Sequence, residues 1–406
     1  MSGNIMIRLS KKLLLFFALI SAIILRCGGA AAAVEDEDPL LGVKEGWAWP
    51  VVVIKPENGW ESPEGDAIKH AMRTAEREIS TQREAIRGRE ITFMFSDIAD
   101  RGELPSRLET WRAMNVSAIV SFADSGFNEI LAELCRERGP SLLFAGGDDM
   151  ILNSPNTGRP WPYLFALDLP YYARANALAE AAYLARHEQA AVVTDILSRK
   201  LAAGAEQNIR FLRARGLDTL NLSVAAYRQD EFLPQVREAA SGGTKLFICW
   251  LDAMATLSIW QNSQRRQDGI VVYYSGGPQQ ILTDADGLVI VDRDVLLDRN
   301  EDGRHVIINK IRDAFNVIVE DPVTAAKAYA MAKWVVGAYQ VTGVGETPNI
   351  ALALGRIGEI PLMDEILSID PATHRPKSRK YGVLRVQNRT YESHGSVEVF
   401  SRETIE

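Results

Sequence analysis

From Val51 to Tyr274, short apolar runs alternate with longer amphipathic stretches, and that rhythm constrains the fold more than any other feature. Val51-Val-Val-Ile54 reads as a buried strand closed by Lys55-Pro56. Ile68, Ala71, Met72, Ala75 and Ile79 then line one face of a helix. Further strands are expected over Ile91–Phe95, Val116–Ser121, Ser141–Ala145 and Tyr163–Leu167, with helices between them. The rhythm restarts with strands near Ala190–Thr194, Leu220–Ala225, Leu246–Cys249 and Ile270–Tyr274. Strands separated by helices of roughly 10–15 residues build parallel βαβ units. Two such runs in 406 residues predict an α/β protein of two doubly wound parallel-sheet lobes. Ligands of open parallel sheets sit beyond the carboxyl ends of the strands, so the strand-to-helix loops are where chemistry belongs.

The first residues have a different logic. Arg8, Lys11 and Lys12 precede the apolar run Leu13–Leu25, and small residues follow, offering Ala31-x-Ala33 for cleavage. This is the pattern of a secretory signal peptide, and the run is short for a membrane span of ~20 residues. Lipid attachment through Cys27 is not expected, because Leu25 and Arg26 stand where small residues are needed. Losing the four basic residues of this leader takes the charge from −8 to −12. So acidic a chain lacks the basic stripe that meets nucleic-acid phosphates, and no nucleic-acid partner is expected. Cys135 and Cys249 read as core residues, too few for a disulfide framework.

Catalytic signatures are missing: the sequence has no HExxH, GxSxG or phosphate-binding glycine loop, and nothing pairs a nucleophile with a base. Neither an enzyme nor a cofactor is expected. The five histidines are scattered in surface-like contexts. Asp298-Arg-Asn-Glu-Asp-Gly303 starts like a calcium loop, but its twelfth position is Asn309 instead of a bidentate Glu, so an acidic surface loop is expected.

Several loop residues fit a binding site. Gly147 and Asp148 follow an apolar strand, where the glycine allows close approach and the carboxylate either receives an ammonium group or caps a helix. Ser125 stands before a helix, positioned to hold a carboxylate or to act as the cap. Trp250 ends a strand and Trp60 lies in the first loop, each a stacking wall or a core aromatic.

Landmarks spread along the chain then come into register. Gly88-Arg-Glu-Ile-Thr-Phe-Met-Phe-Ser-Asp97, Val116-Ser-Ala-Ile-Val-Ser121 followed by Ser125, Tyr163-Leu-Phe165, Ala325–Gly343, and Asp370-Pro-Ala-Thr-His-Arg-Pro376 before Tyr381-Gly-Val are similar to the motifs of one family, in order. In them the chain resembles the type I periplasmic solute-binding proteins of the leucine/isoleucine/valine-binding family, which serve ABC importers. The resemblance implies a signal peptide over 1–33, an extension over 34–47, lobe 1 over 48–167 and 289–362, lobe 2 over 168–288 and 363–400, and a tail over 401–406. Three crossovers would run near Leu167, Val289 and Met363. It also implies a carboxylate held at Ser125 and an ammonium at Gly147 and Asp148. The chain departs from the family where Ser198-Arg199-Lys200 replaces the second-lobe tyrosine, which brings Arg199 into the candidate set beside Trp250, with Trp60 as a lid.

The function expected from this resemblance is an extracytoplasmic, monomeric receptor that carries a small polar ligand (amino acid, amide or organic acid) to a permease and ATPase. The alternative is a sensory or scaffold protein of the same fold acting through a protein partner.

Overall fold

The computed structural model describes residues 48–80, 89–145, 149–170, 172–293, 306–362 and 365–401. The expected signal peptide, the extension and the calcium-like loop at Asp298–Gly303 lie outside them. Among the described residues, no helix is long and apolar enough to cross a membrane.

Lobe 1 is a five-stranded parallel sheet in the order β2-β1-β3-β4-β5, made of β1 (Ala48–Ile54), β2 (Glu90–Ser96), β3 (Ala118–Ser121), β4 (Ser141–Phe144) and β5 (Leu164–Ala166). Both faces are covered, which is why β1 is apolar at every position from Trp49 on instead of alternating. Val51 and Val53 enter the core beneath α1 (Pro63–Ser80), while Val52 and Ile54 enter the one beneath α2 (Leu104–Ala113) and α3 (Ser125–Cys135). The short α4 (Asp149–Leu152) follows β4.

Lobe 2 is a seven-stranded sheet in the order β16-β15-β10-β9-β8-β6-β7. Its parallel part consists of β6 (Gln189–Asp195), β7 (Asp218–Val224), β8 (Leu246–Trp250), β9 (Val271–Tyr274) and β10 (Val289–Asp292). The antiparallel hairpin β15 (Ser378–Gln387) and β16 (Thr390–Phe400) is added at one edge. One face packs against α5 (Tyr172–Leu184) and α6 (Arg199–Ala214), the other against α7 (Gln229–Ser241) and α8 (Ala253–Arg266).

The chain crosses between the sheets three times, but two of the boundaries expected from the sequence move. Val289 does not begin the return to lobe 1: it pairs with Tyr273 and Arg385, so 289–292 is the strand β10 of lobe 2. By α9 (Val306–Phe315) the chain is back on lobe 1, where Lys310 reaches Glu78 of α1 at 2.8 Å. There α10 (Pro322–Thr342) and α11 (Thr347–Leu354) complete the cover. Asp321 caps α10 by accepting from the Thr324 N–H, and Gly343 ends it in the left-handed conformation, φ 62°. The third crossing also comes later than expected. The hairpin β11 (Ile360–Leu362) and β12 (Glu365–Leu367) buries Ile360, Leu362 and Leu367 in the lobe 1 core. After the small ladder β13 (Ile369–Asp370) and β14 (Arg375–Pro376), the chain joins lobe 2 at Ser378.

Candidate functional site

In each lobe the strand order reverses at one point, and the loops on either side of it diverge to leave a crevice. In lobe 1 this lies between β1 and β3, in lobe 2 between β6 and β8. The residues just beyond those strand ends are therefore the candidate site.

On lobe 1 they are Lys55 after β1 and Phe122–Asp124 after β3. The turn there is built from inside. Buried Ser121 donates its hydroxyl to Asn128 Oδ1 at 2.6 Å, and Asn128 Nδ2 donates to the Ala123 carbonyl at 2.9 Å. Asp124, not Ser125, caps α3, accepting from the Phe127 N–H at 3.0 Å. Arg101 Nη2 meets the same carboxylate at 2.9 Å. A Cβ on Gly126 would stand 3.0 Å from that guanidinium, so the glycine leaves room for the pair. The Phe127 N–H, then Arg101, holds the Asp124 carboxyl below the usual range. Ser125 sits exposed in the first turn. A ligand carboxylate there would meet the Asp124 carboxylate at the same helix end, which opposes the role the resemblance implies for Ser125.

On lobe 2, Asp195 Oδ1 accepts from the Leu197 N–H at 3.1 Å, and Ser198 caps α6 at the Leu201 N–H. Arg199 and Lys200 are exposed in the first turn, where cations oppose the helix dipole and are not explained by helix stability. Ile196 and Leu197 after β6, Tyr227 after β7 and Met254 in the first turn of α8 after β8 are each more than half exposed, past the ends of three neighbouring strands.

A third cluster closes the carboxyl end of β9 and β10. Arg174 donates to the Ser275 carbonyl at 2.9 Å and pairs with buried Asp292 at 3.0 Å. Gly276 and Gly277 are required for this packing, since a Cβ would lie 2.3 Å from the Tyr274 ring or 2.7 Å from Asp292 Oδ2. Asp292 has no signal in the sequence, where the resemblance puts a crossover near Val289 instead of a strand.

The two tryptophans are not on these edges. Trp250 is 5% exposed under α6, where a Cβ on Gly204 would touch its ring at 2.1 Å, and its indole N–H points to Asn208 Oδ1 at 3.4 Å. Its ring is core, as small Gly204 opposite it allows. Trp60 is likewise core, 9% exposed, donating to the Ser96 carbonyl and edge-on to Phe95 at 5.2 Å. A side chain so packed cannot serve as a lid. Gly147 and Asp148 lie outside the described residues.

Burial pushes both Cys135 and Cys249 up to about 12, which leaves them as thiols. His374 is not the surface histidine its context predicts: it stacks on Phe165 at 4.5 Å, and burial lowers its pKa. Among the described residues, no group of three or more His, Cys, Asp or Glu could hold a metal ion.

No protein-family model matches the sequence, and no curated protein is significantly similar to it. Solved structures are similar in fold. A branched-chain amino acid ABC transporter periplasmic ligand-binding protein from Burkholderia xenovorans superposes with a TM-score of 0.66 at 13% identity, covering 86% of this chain and 95% of that one. An ABC transporter substrate-binding protein from Desulfitobacterium hafniense in complex with Leu gives 0.64 at 14%, covering 85% and 99%. A solute-binding protein of an ABC transporter from R. palustris in complex with benzoate gives 0.56 at 16%, covering 87% and 97%. The chain therefore has the two-lobed fold of the type I periplasmic binding proteins.

Proposed function

We propose that this chain is an extracytoplasmic solute-binding receptor that takes a small ligand between its lobes and delivers it to the permease and ATPase of an ABC importer. The observation that carries the reading is the pairing of two switch-point edges in one chain that crosses three times between their sheets. Such an arrangement binds by closing, and needs only a ligand that prefers the closed state. The leader Arg8–Ala33 supports export. The likeness to receptors holding Leu and benzoate supports a small carboxylic acid as cargo.

The two edges refine the ligand. With Asp124 seated on α3, the natural place for a ligand carboxylate is the basic first turn of α6, at Arg199 and Lys200. The neighbouring Ile196, Leu197, Tyr227 and Met254 favour a ligand with an apolar body. Asp148 remains the proposed partner for an ammonium group if the ligand carries one.

The test is a thermal-shift screen of refolded mature protein against amino acids, amides, and aliphatic and aromatic carboxylates. A ligand at 100 times its Kd stabilises by ~2.7 kcal/mol, a shift of degrees. A carboxylate hit establishes the receptor. Silence over the whole panel overturns it in favour of a sensory or scaffold protein of this fold.

A further inference from the structure

Asp168 follows β5, in the first crossing between the sheets, and is 1% exposed. Its carboxylate faces not solvent but the other two crossings. Oδ2 lies 2.8 Å from Nη2 of Arg293, the first residue after β10 and so the start of the second crossing. Oδ1 lies 3.5 Å from Nη1 of Arg379, at the lobe 2 end of the third crossing, a side chain with no exposed surface. Arg379 Nε lies in turn 3.4 Å from Oε2 of Glu365, in the β12 hairpin whose Leu367 packs in the lobe 1 core. The Asp168 backbone is tied as well, its carbonyl accepting from Arg375 Nη1 at 2.6 Å.

We infer that Asp168 is the pin of the hinge: one buried carboxylate that couples all three crossing segments and so sets the angle the lobes adopt. Ordinary fold stability does not require this arrangement. A buried ion cluster is no more stabilising than well-packed apolar residues of the same volume, because each ion gives up its hydration. Its distinctive property is geometric. A carboxylate offers two oxygens and about four lone-pair directions, enough to hold two guanidiniums at once and to fix the segments that carry them. Rotation of one lobe on the other moves the three crossings relative to one another. With Asp168 in place they must move together, through a small number of arrangements that keep the carboxylate paired. Without the charge, each crossing bends on its own and the lobe angle spreads.

The inference needs only that the lobes move, as in the receptor reading, and its test uses no ligand, so a silent ligand screen would leave it standing. Nitroxide labels at exposed Glu129→Cys on α3 and Glu238→Cys on α7 report the lobe separation by pulsed electron spin resonance in the mature full chain. Both native cysteines are buried and stay unlabelled. Asp168→Asn, which keeps the shape and removes the charge, is expected to at least double the width of the distance distribution. Arg293→Gln, at a side chain that is a quarter exposed, cuts the tie to the second crossing and leaves Arg379 on the carboxylate, and is expected to widen it less. Arg293→Gln also carries the test alone if Asp168→Asn does not fold. An unchanged width in a folded variant, even with a lower melting temperature, makes Asp168 a plain stability residue and overturns the inference.

Discussion

Asp124 and Leu197 each stand shortly past the carboxyl end of a strand that flanks its lobe's switch point, yet they face opposite demands. Asp124 is engaged through Oδ1, with a backbone N–H and a guanidinium within 3.0 Å, above a turn fixed by Ser121 and Asn128. Leu197 is 66% exposed, with Ile196, Tyr227 and Met254 in the same condition nearby. Exposed apolar side chains past the ends of three adjacent strands cost solubility and return little to the fold, so their use lies in what they meet. Lobe 1 thus presents a finished polar edge, and lobe 2 an unfinished apolar and basic one. In a receptor that closes, a rigid edge that needs no rearrangement combined with an edge that gains by burial puts most of the closing energy on lobe 2.

The contrast breaks if the aromatic that ends β8 belongs to the edge instead of the core, and that is the largest effect to be expected. Trp250→Ala should destabilise lobe 2 by ~3–5 kcal/mol, read by denaturant unfolding, because it empties a packed site under α6. A ligand-facing tryptophan would leave stability nearly unchanged. The contrast sharpens with the exposed pair. Replacing Ile196 and Leu197 by Ser should leave the stability within ~0.5 kcal/mol, since both side chains are more than half exposed. The same change should weaken a carboxylate found in the screen by ~1.5–3 kcal/mol if a side chain of this size is buried on closure. Equal affinity in the double variant would place the ligand elsewhere.

The alternation of strand and helix was readable because parallel strands covered on both faces are continuous apolar runs, as in Val51–Ile54 and Leu246–Trp250. The hairpin β15–β16 was only half readable. Its turn uses Asn388 and Arg389 in left-handed backbone, φ 50° and 63°, without the glycine that usually marks one. β16 is also polar over most of its length, so only Val397–Phe400 carried a signal. At the site, Ser125 and Arg199 were legible as strand-to-helix loop residues, but what the helix ends do with them was not. Asp124 takes the cap one position before Ser125, and since Asp and Ser cap about equally well, a residue list does not decide between them. The partners of Asp168 lie 125 and 211 positions away in sequence, beyond any local pattern.

The smallest effect separates the two edges by acid. Asp124→Ala should cost ~1 kcal/mol, the ordinary value of a lost cap, because the exposed Arg101 pair adds little through water. Its pH dependence identifies the source. The folded carboxyl lies below its unfolded value of about 3.9, so between the two the unfolded chain binds more protons and stability rises with pH. The contribution is whole above that unfolded value and disappears as pH falls through the folded one. Wild type and Asp124→Ala should therefore differ at pH 7 and converge in acid, while the Ile196 and Leu197 variants, which remove no titrating group, should track wild type throughout. A gap between wild type and Asp124→Ala that does not narrow at all as pH falls below the unfolded value would mean that the residue acts through packing, and the edge of lobe 1 would no longer be electrostatically complete.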